Sequence, residues 1–246
     1  MNDSTPPTLL ITGVSSGIGH GLATFYLQQG WRVLGTSRRT PADLLEHSQF
    51  HFRSIDLSHP AAIGPPIIAL LNQMRHLDLV ILNAGVLGGF GDLGDADLDD
   101  LAHTMQVNVW SNKCVLDALY STGVTIEQVV AISSGASVNG NRGWSGYSIS
   151  KAALNMLVTL YAREQPQTHF AALAPGLVDT FMQEQLRARV PDERYPAVEV
   201  LRGKQHSADM PQPDRAAEAL AATMAELPQR IDSGAYADIR ALSTAQ

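Results

Sequence analysis

The stretch "TLLITGVSSGIGHG", Thr8 to Gly21, decides how the rest of the chain is read. Five apolar or strand-compatible residues run into a turn carrying Gly13, Gly17 and Gly19, and a helical pattern, "IGHGLATFYLQQG", follows at once. That is a strand, a tight turn and a helix. The same alternation continues downstream. "WRVLGTS" (31–37), "FHFRSIDL" (50–57), "LDLVILNAG" (77–85), "EQVVAISS" (127–134) and "THFAALAPG" (168–176) are short apolar runs ending in turns, separated by helical segments. Strands alternating with helices imply βαβ units and a parallel sheet. Right-handed crossovers then put helices on both faces, which is why the strands read as continuous hydrophobic runs. No linker, repeat or low-complexity block interrupts residues 1–246, so the expectation is one doubly wound α/β domain with about seven parallel strands. Residues 181–213 differ: they are polar, charged and broken by Pro191, Pro196, Pro211 and Pro213. They are expected to form short helices and loops over the top of the sheet, as a substrate lid.

Composition removes several function classes. With a formal charge of -7 the chain has no basic field for nucleic acid or an anionic membrane. Its one cysteine, Cys114, allows neither an intramolecular disulfide nor a CxxC metal site, and the eight histidines form no HExxH, so no metal is expected. The N-terminus has no basic segment followed by a long apolar one, and no apolar run approaches the roughly 20 residues that span a bilayer. A soluble, cytoplasmic protein is expected.

In open α/β sheets ligands bind beyond the carboxyl ends of the strands. Glycines in the first strand-to-helix turn let the backbone approach a pyrophosphate, which the next helix's free amides stabilise. The spacing is neither GxGxxG nor a P-loop, since three residues fill the first gap and no lysine follows. After the second strand, where an NAD site carries an acidic residue, stand Thr36, Ser37, Arg38 and Arg39. A guanidinium there suits a 2′-phosphate, so the expected cofactor is NADP(H).

One further segment, "GWSGYSISKAALNML" (143–157), places Tyr147 and Lys151 four residues apart, hence on one helix face. Taken alone, the pair reads as a core tyrosine beside a snorkelling lysine, or as an acid–base couple. A free phenol titrates near 10, and an adjacent cation favours its anion. Ser134 ends a strand facing the same crevice, where its hydroxyl can steady charge on a substrate oxygen.

Taken together, these motifs resemble the classical short-chain dehydrogenases/reductases, whose fold is of the Rossmann type, from Thr8 to Ile239. The matching residues are the TGxxxGIG turn (Thr12 to Gly19), Asp56 in "IDLS", "NAG" (Asn83 to Gly85), Asn108 in "MQVNVW", Ser134, Tyr147 with Lys151, and "PGLVDT" (Pro175 to Thr180). The resemblance implies four catalytic residues: Tyr147 as proton donor, Ser134 orienting the carbonyl, Lys151 supporting Tyr147 and binding the nicotinamide ribose, and Asn108 holding a water on the way to solvent. It also implies a cofactor site. Gly13, Ser15, Ser16, Gly17, Ile18 and Gly19 form its phosphate turn. Arg38 and Arg39 would meet the 2′-phosphate, mainly through Arg38, because Ser16 stands where other members have a second basic residue. Asp56 and Leu57 would flank the adenine, and Asn83, Ala84 and Gly85 its ribose. Pro175, Gly176, Val178 and Thr180 would lie by the nicotinamide. A homodimer or homotetramer is implied as well.

Within the family, "RGWSGYSISKAALNML", "AREQPQTHFAALAPGLVDTFMQ" and "DSGAYADI" resemble sepiapterin reductases and bacterial benzil reductases. That likeness implies NADPH-dependent reduction of a small-molecule ketone, either one carbonyl of a vicinal diketone or a pterin side-chain carbonyl. Trp144, Phe181 and Met182 would wall the substrate, and Asp238 would face a pterin guanidine edge. The alternatives are an NAD(P)+-dependent secondary alcohol dehydrogenase and a non-enzymatic NADP(H)-binding sensor on the same fold.

Overall fold

A computed structural model describes residues 6–243. In chain order the elements are β1 (Thr8–Thr12), α1 (Gly17–Gln28), β2 (Arg32–Ser37), β3 (Phe50–Ser54), α2 (Gly64–Leu71), β4 (His76–Leu82), α3 (Leu98–Met105), α4 (Ser111–Ser121), β5 (Thr125–Ile132), α5 (Ala136–Asn139), α6 (Ser145–Glu164), β6 (His169–Ala174), α7 (Phe181–Arg187), α8 (Pro196–Lys204), α9 (Pro213–Arg230), β7 (Ala235–Asp238) and α10 (Ile239–Ser243). The seven strands form one parallel sheet in the order β3-β2-β1-β4-β5-β6-β7. The order reverses direction between β1 and β4, which is where a doubly wound sheet opens a crevice at its carboxyl edge.

The pleat sorts the core. Leu9 and Ile11 of β1 pack on one face with Leu22 of α1 and Leu220 and Met224 of α9. Leu10 points the other way, into a cluster with Ile67 of α2, Leu116 of α4 and Leu154 of α6. All five residues of β1 are buried, as a central strand covered on both faces requires. The edge strand β3 exposes most of its residues. It also stops at Ser54, not at Leu57 as its apolar pattern suggested. Its neighbour β2 ends at Ser37, whose carbonyl accepts the Ile55 amide at 3.2 Å, and beyond that point no ladder partner remains. Asp56 and Leu57 therefore sit in a turn. Residues 181–213 do form short helices, α7 and α8, joined by loops. Among the described residues no helix is long and apolar enough to cross a membrane.

Candidate active site at the carboxyl edge of the sheet

The crevice above β1 and β4 has a volume of about 1320 Å³, more than a drug-sized ligand fills. Thr12, the last residue of β1, fastens its two halves together. Its hydroxyl accepts the backbone amides of Asn83 and Ala84 at 3.0 Å each, and its carbonyl accepts the Asn83 side-chain amide at 2.9 Å. Gly13 follows in a left-handed conformation (φ 81°), and a Cβ there would lie 2.8 Å from Asn83 Nδ2. Gly19 works differently from the other two glycines of the turn. A Cβ at Gly19 would sit 2.3 Å from the Gly13 carbonyl oxygen, so it packs α1 against the turn from behind and is not on the crevice wall. Ser15, Ser16, Gly17 and Ile18 are on that wall. Ser16 caps α1 with extended backbone but makes no side-chain capping bond, so the first amides of α1 open onto the crevice.

The far end of the crevice is walled by Arg38 and Arg39 after β2, Asp56 and Leu57 after β3, and Asn83 to Gly85 after β4. Two hydroxyls pin the arginine loop: Ser37 Oγ donates to the Arg39 carbonyl at 2.6 Å and Ser54 Oγ to the Arg38 carbonyl at 3.1 Å. Arg39 Nη2 lies 3.4 Å from Ser16 Oγ, so the arginine rim and the glycine turn meet. The Ser58 amide and hydroxyl both donate to Asp56 and hold its carboxyl below the usual range.

Opposite the glycine turn, α6 presents Tyr147 and Lys151 one helical turn apart, both buried. Lys151 Nζ donates to the Ile132 carbonyl at 2.7 Å, and burial brings its ammonium down to about 8. It stands 5.7 Å from the centre of the Tyr147 ring. Burial pushes the Tyr147 phenol up, and a hydrogen bond with Ser134 pulls the other way. Desolvation and the Ser134 contact act on the phenol directly, while Lys151 is anchored to the end of β5 below the ring. Ser134 Oγ also accepts the Ala136 amide at 3.1 Å, so the same hydroxyl caps the turn. A relay braces that turn on α6: Ser133 Oγ donates to Asn155 Oδ1 at 2.5 Å, Asn155 Nδ2 to Ser137 Oγ at 3.0 Å, and Ser137 Oγ to the Ser134 carbonyl at 2.6 Å. Nothing in the local sequence announced this relay.

Asn108 is brought near but not onto the wall. It lies in a wide π-type turn (Gln106–Trp110) joining α3 to α4, a device found often at functional sites. Its side chain is fully buried: Oδ1 accepts the Val86 amide at 2.8 Å, and Nδ2 donates to the Val86 carbonyl and to Ser150 Oγ, each at 2.9 Å. Asn108 thus clips the loop after β4 to α6.

At the substrate end, Pro175, Gly176, Val178 and Thr180 line the crevice beside Trp144, Phe181 and Met182. Trp144 is buried against Leu87, Tyr147 and Leu201, and Phe90 meets its ring edge-on at 4.9 Å. Asp238 is the substrate candidate that the fold does not deliver. Arg240 takes up its carboxylate through Nε at 2.9 Å and Nη2 at 2.6 Å, and Arg240, not Asp238, lines the crevice.

A central parallel sheet, a glycine turn at the switch point and a Ser–Tyr–Lys cluster facing it define a dinucleotide-type oxidoreductase scaffold. The model for short chain dehydrogenases matches residues 7–191, and the chain belongs to that family. It is 33% identical over 191 residues to an uncharacterized oxidoreductase of Schizosaccharomyces pombe, covering 76% of this chain and 77% of that one. It is 29% identical to the benzil reductase ((S)-benzoin forming) of Bacillus subtilis, covering 73% of this chain and 77% of that one. The crystal structure of a short chain dehydrogenase/reductase from Saccharomyces cerevisiae superposes with a TM-score of 0.82 at 24% identity, covering 95% of this chain and 96% of that one.

Proposed function

We propose that this protein is an NADPH-dependent ketone reductase whose substrates are vicinal diketones. The observation that carries the reading is the convergence of Ser134, Tyr147 and Lys151 on the crevice wall facing the glycine turn. The residues fit a dinucleotide: the first amides of α1 lack a side-chain cap where a pyrophosphate would be held, and Arg38 and Arg39 stand where an acidic ribose anchor would exclude a 2′-phosphate. When bound, the nicotinamide would supply the hydride. The chain's own residues do the rest. Tyr147 donates its proton to the carbonyl oxygen as negative charge develops there. The Ser134 hydroxyl donates a hydrogen bond to the same oxygen and fixes its direction. Lys151, a cation below about pH 8, favours loss of the phenolic proton from beneath the ring. Thr12 and Asn108 keep the two walls in register.

Two observations favour a diketone over a pterin. The Bacillus subtilis relative is a benzil reductase. The Asp238 carboxylate, which a pterin guanidine would need, is already held by Arg240. The test is NADPH consumption with benzil, 1-phenyl-1,2-propanedione and sepiapterin, beside Tyr147→Phe. Turnover of the diketones should fall by about 10²–10⁴-fold in Tyr147→Phe, with NADPH binding retained. Turnover of sepiapterin alone would overturn the substrate class. Tight NADPH binding without turnover of any of the three would overturn the reductase reading.

A further inference from the structure

We propose that the amino end of the sheet, opposite the crevice, carries a zinc site formed by His76, Asp78 and Glu127. No local motif announces it, and the sheet register creates it. His76 pairs with Thr125 across β4 and β5, and two residues further along each strand Asp78 and Glu127 point to the same face. His76 Nε2 lies 3.5 Å from Asp78 Oδ1 and 3.4 Å from Glu127 Oε1. All three ligand atoms fall within 4.8 Å of one another.

The hydrogen bonds around the cluster fix which atoms are free. The Thr125 hydroxyl lies 3.1 Å from the Arg75 carbonyl and 3.0 Å from His76 Nδ1, so it holds the ring at Nδ1 and leaves Nε2 turned toward the two carboxylates. With the proton of a neutral imidazole on Nδ1, Nε2 offers a lone pair to a metal. Asp78 Oδ2 accepts the Thr8 amide at 2.6 Å, which leaves Oδ1 free. A lone pair facing two carboxylate oxygens is repulsive unless a cation lies between them. A proton on Nε2 answers poorly, since 3.4 and 3.5 Å are long for an N–H···O bond, whose usual range is about 2.7–3.2 Å. They match the spacing of ligands around a tetrahedral ion bound at about 2.0–2.1 Å, roughly 3.3–3.4 Å. One imidazole with two carboxylates suits zinc, and side-chain exposures of 46% for His76 and 66% for Glu127 leave solvent access for an ion and for a water as fourth ligand. The outer partners, Thr125 on the imidazole and the Thr8 amide on the carboxylate, are of the kind that orient metal ligands. Through Thr8 the ion would staple the start of β1 to β4 and β5.

The test is zinc titration of tag-free wild type, His76→Gln and Glu127→Gln by calorimetry, with thermal melts alongside. One zinc per chain should bind wild type, and both variants should bind at least about tenfold more weakly. With zinc about a hundredfold above its Kd, the wild-type Tm should rise by about 5–10 °C. Absence of zinc uptake by wild type, or uptake that either variant leaves within tenfold, would overturn the site and leave an ion-paired histidine. None of these substitutions touches the crevice.

Discussion

Lys151 Nζ reaches the carbonyl of Ile132, the last residue of β5, at 2.7 Å, and no carboxylate among the described residues pairs with the ammonium. A buried cation held by a neutral carbonyl weakens the fold. Its pKa falls on folding from 10.5 to about 8, which corresponds to about 3 kcal/mol. Between those values the unfolded chain binds more protons than the folded one, so stability from this group rises with pH through the window. Lys151→Met should therefore be more stable than wild type at pH 7, by about 1–2 kcal/mol once the Ile132 carbonyl's lost donor is counted. That advantage should shrink by about 2–3 kcal/mol by pH 10.5. Urea denaturation at the two pH values checks both. A difference independent of pH would show that the lysine is not desolvated as the fold implies.

The same titration should appear in the rate. With Tyr147 pushed up by burial, the phenol keeps its proton through the neutral range, so it does not limit reduction there. Lys151 loses its charge as pH rises through about 8. For diketone reduction, kcat/KM, which reports the free enzyme, should be level below that value and decline above it. In Lys151→Arg the guanidinium stays charged, and the decline should move above pH 10. A wild-type profile level from pH 6 to 10 would remove Lys151 from the acid–base chain.

Asn108 is the residue whose loss should be felt in both fold and turnover. Its three hydrogen bonds satisfy both backbone groups of Val86 and the Ser150 hydroxyl, from a side chain that is itself fully buried. Asn108→Ala strands those partners, each at about 1–3 kcal/mol. The expected loss is about 2–4 kcal/mol, or a Tm lower by roughly 5–10 °C. Turnover should fall further than stability explains, because Val86 follows Gly85 on the crevice wall and Ser150 precedes Lys151. Melting curves and NADPH kinetics, measured well below the mutant Tm, test the two parts separately. A melt within 2 °C of wild type would overturn the clip.

These predictions turn on details of unequal visibility in the sequence. Strands, their order along the chain and the positions of Tyr147 and Lys151 follow from periodicity, a local property that one segment carries by itself. The crevice follows too, since strand ends and a glycine turn fix where a doubly wound sheet opens. Asn108 was legible as a helical residue of interest, but its wide turn and its bonds to Val86 and Ser150, 22 and 42 residues away, arise only once the helices pack. Gly19 and Asp238 carried motif identities that say nothing about direction: one faces the turn and the other faces Arg240. The Ser133–Asn155–Ser137 relay and the His76 cluster depend on tertiary placement and sheet register in the same way.

Asp179 and Arg187 close the base of the segment that we read as the substrate lid. Their side chains meet at 2.7 Å and are only 12% and 9% exposed. The second Asp179 oxygen accepts from Gln212 Nε2 at 2.9 Å, and the Asp179 amide donates to the Pro211 carbonyl at 2.9 Å. One carboxylate thus joins the entry to the segment, its first helix and its exit. Removing one partner of a buried pair leaves an uncompensated charge, at about 3–5 kcal/mol, whereas removing both is far milder. Asp179→Ala should loosen residues 181–213, so trypsin cuts at Arg187, Arg189 and Arg194 before the rest of the chain, and KM for a diketone should rise by about tenfold while the affinity for NADPH changes less. The double variant Asp179→Ala/Arg187→Met should recover more than half of the lost stability but not the KM, since the tether to Gln212 is still missing. Equal effects of the single and double variants on stability would mean that the pair is not the clamp.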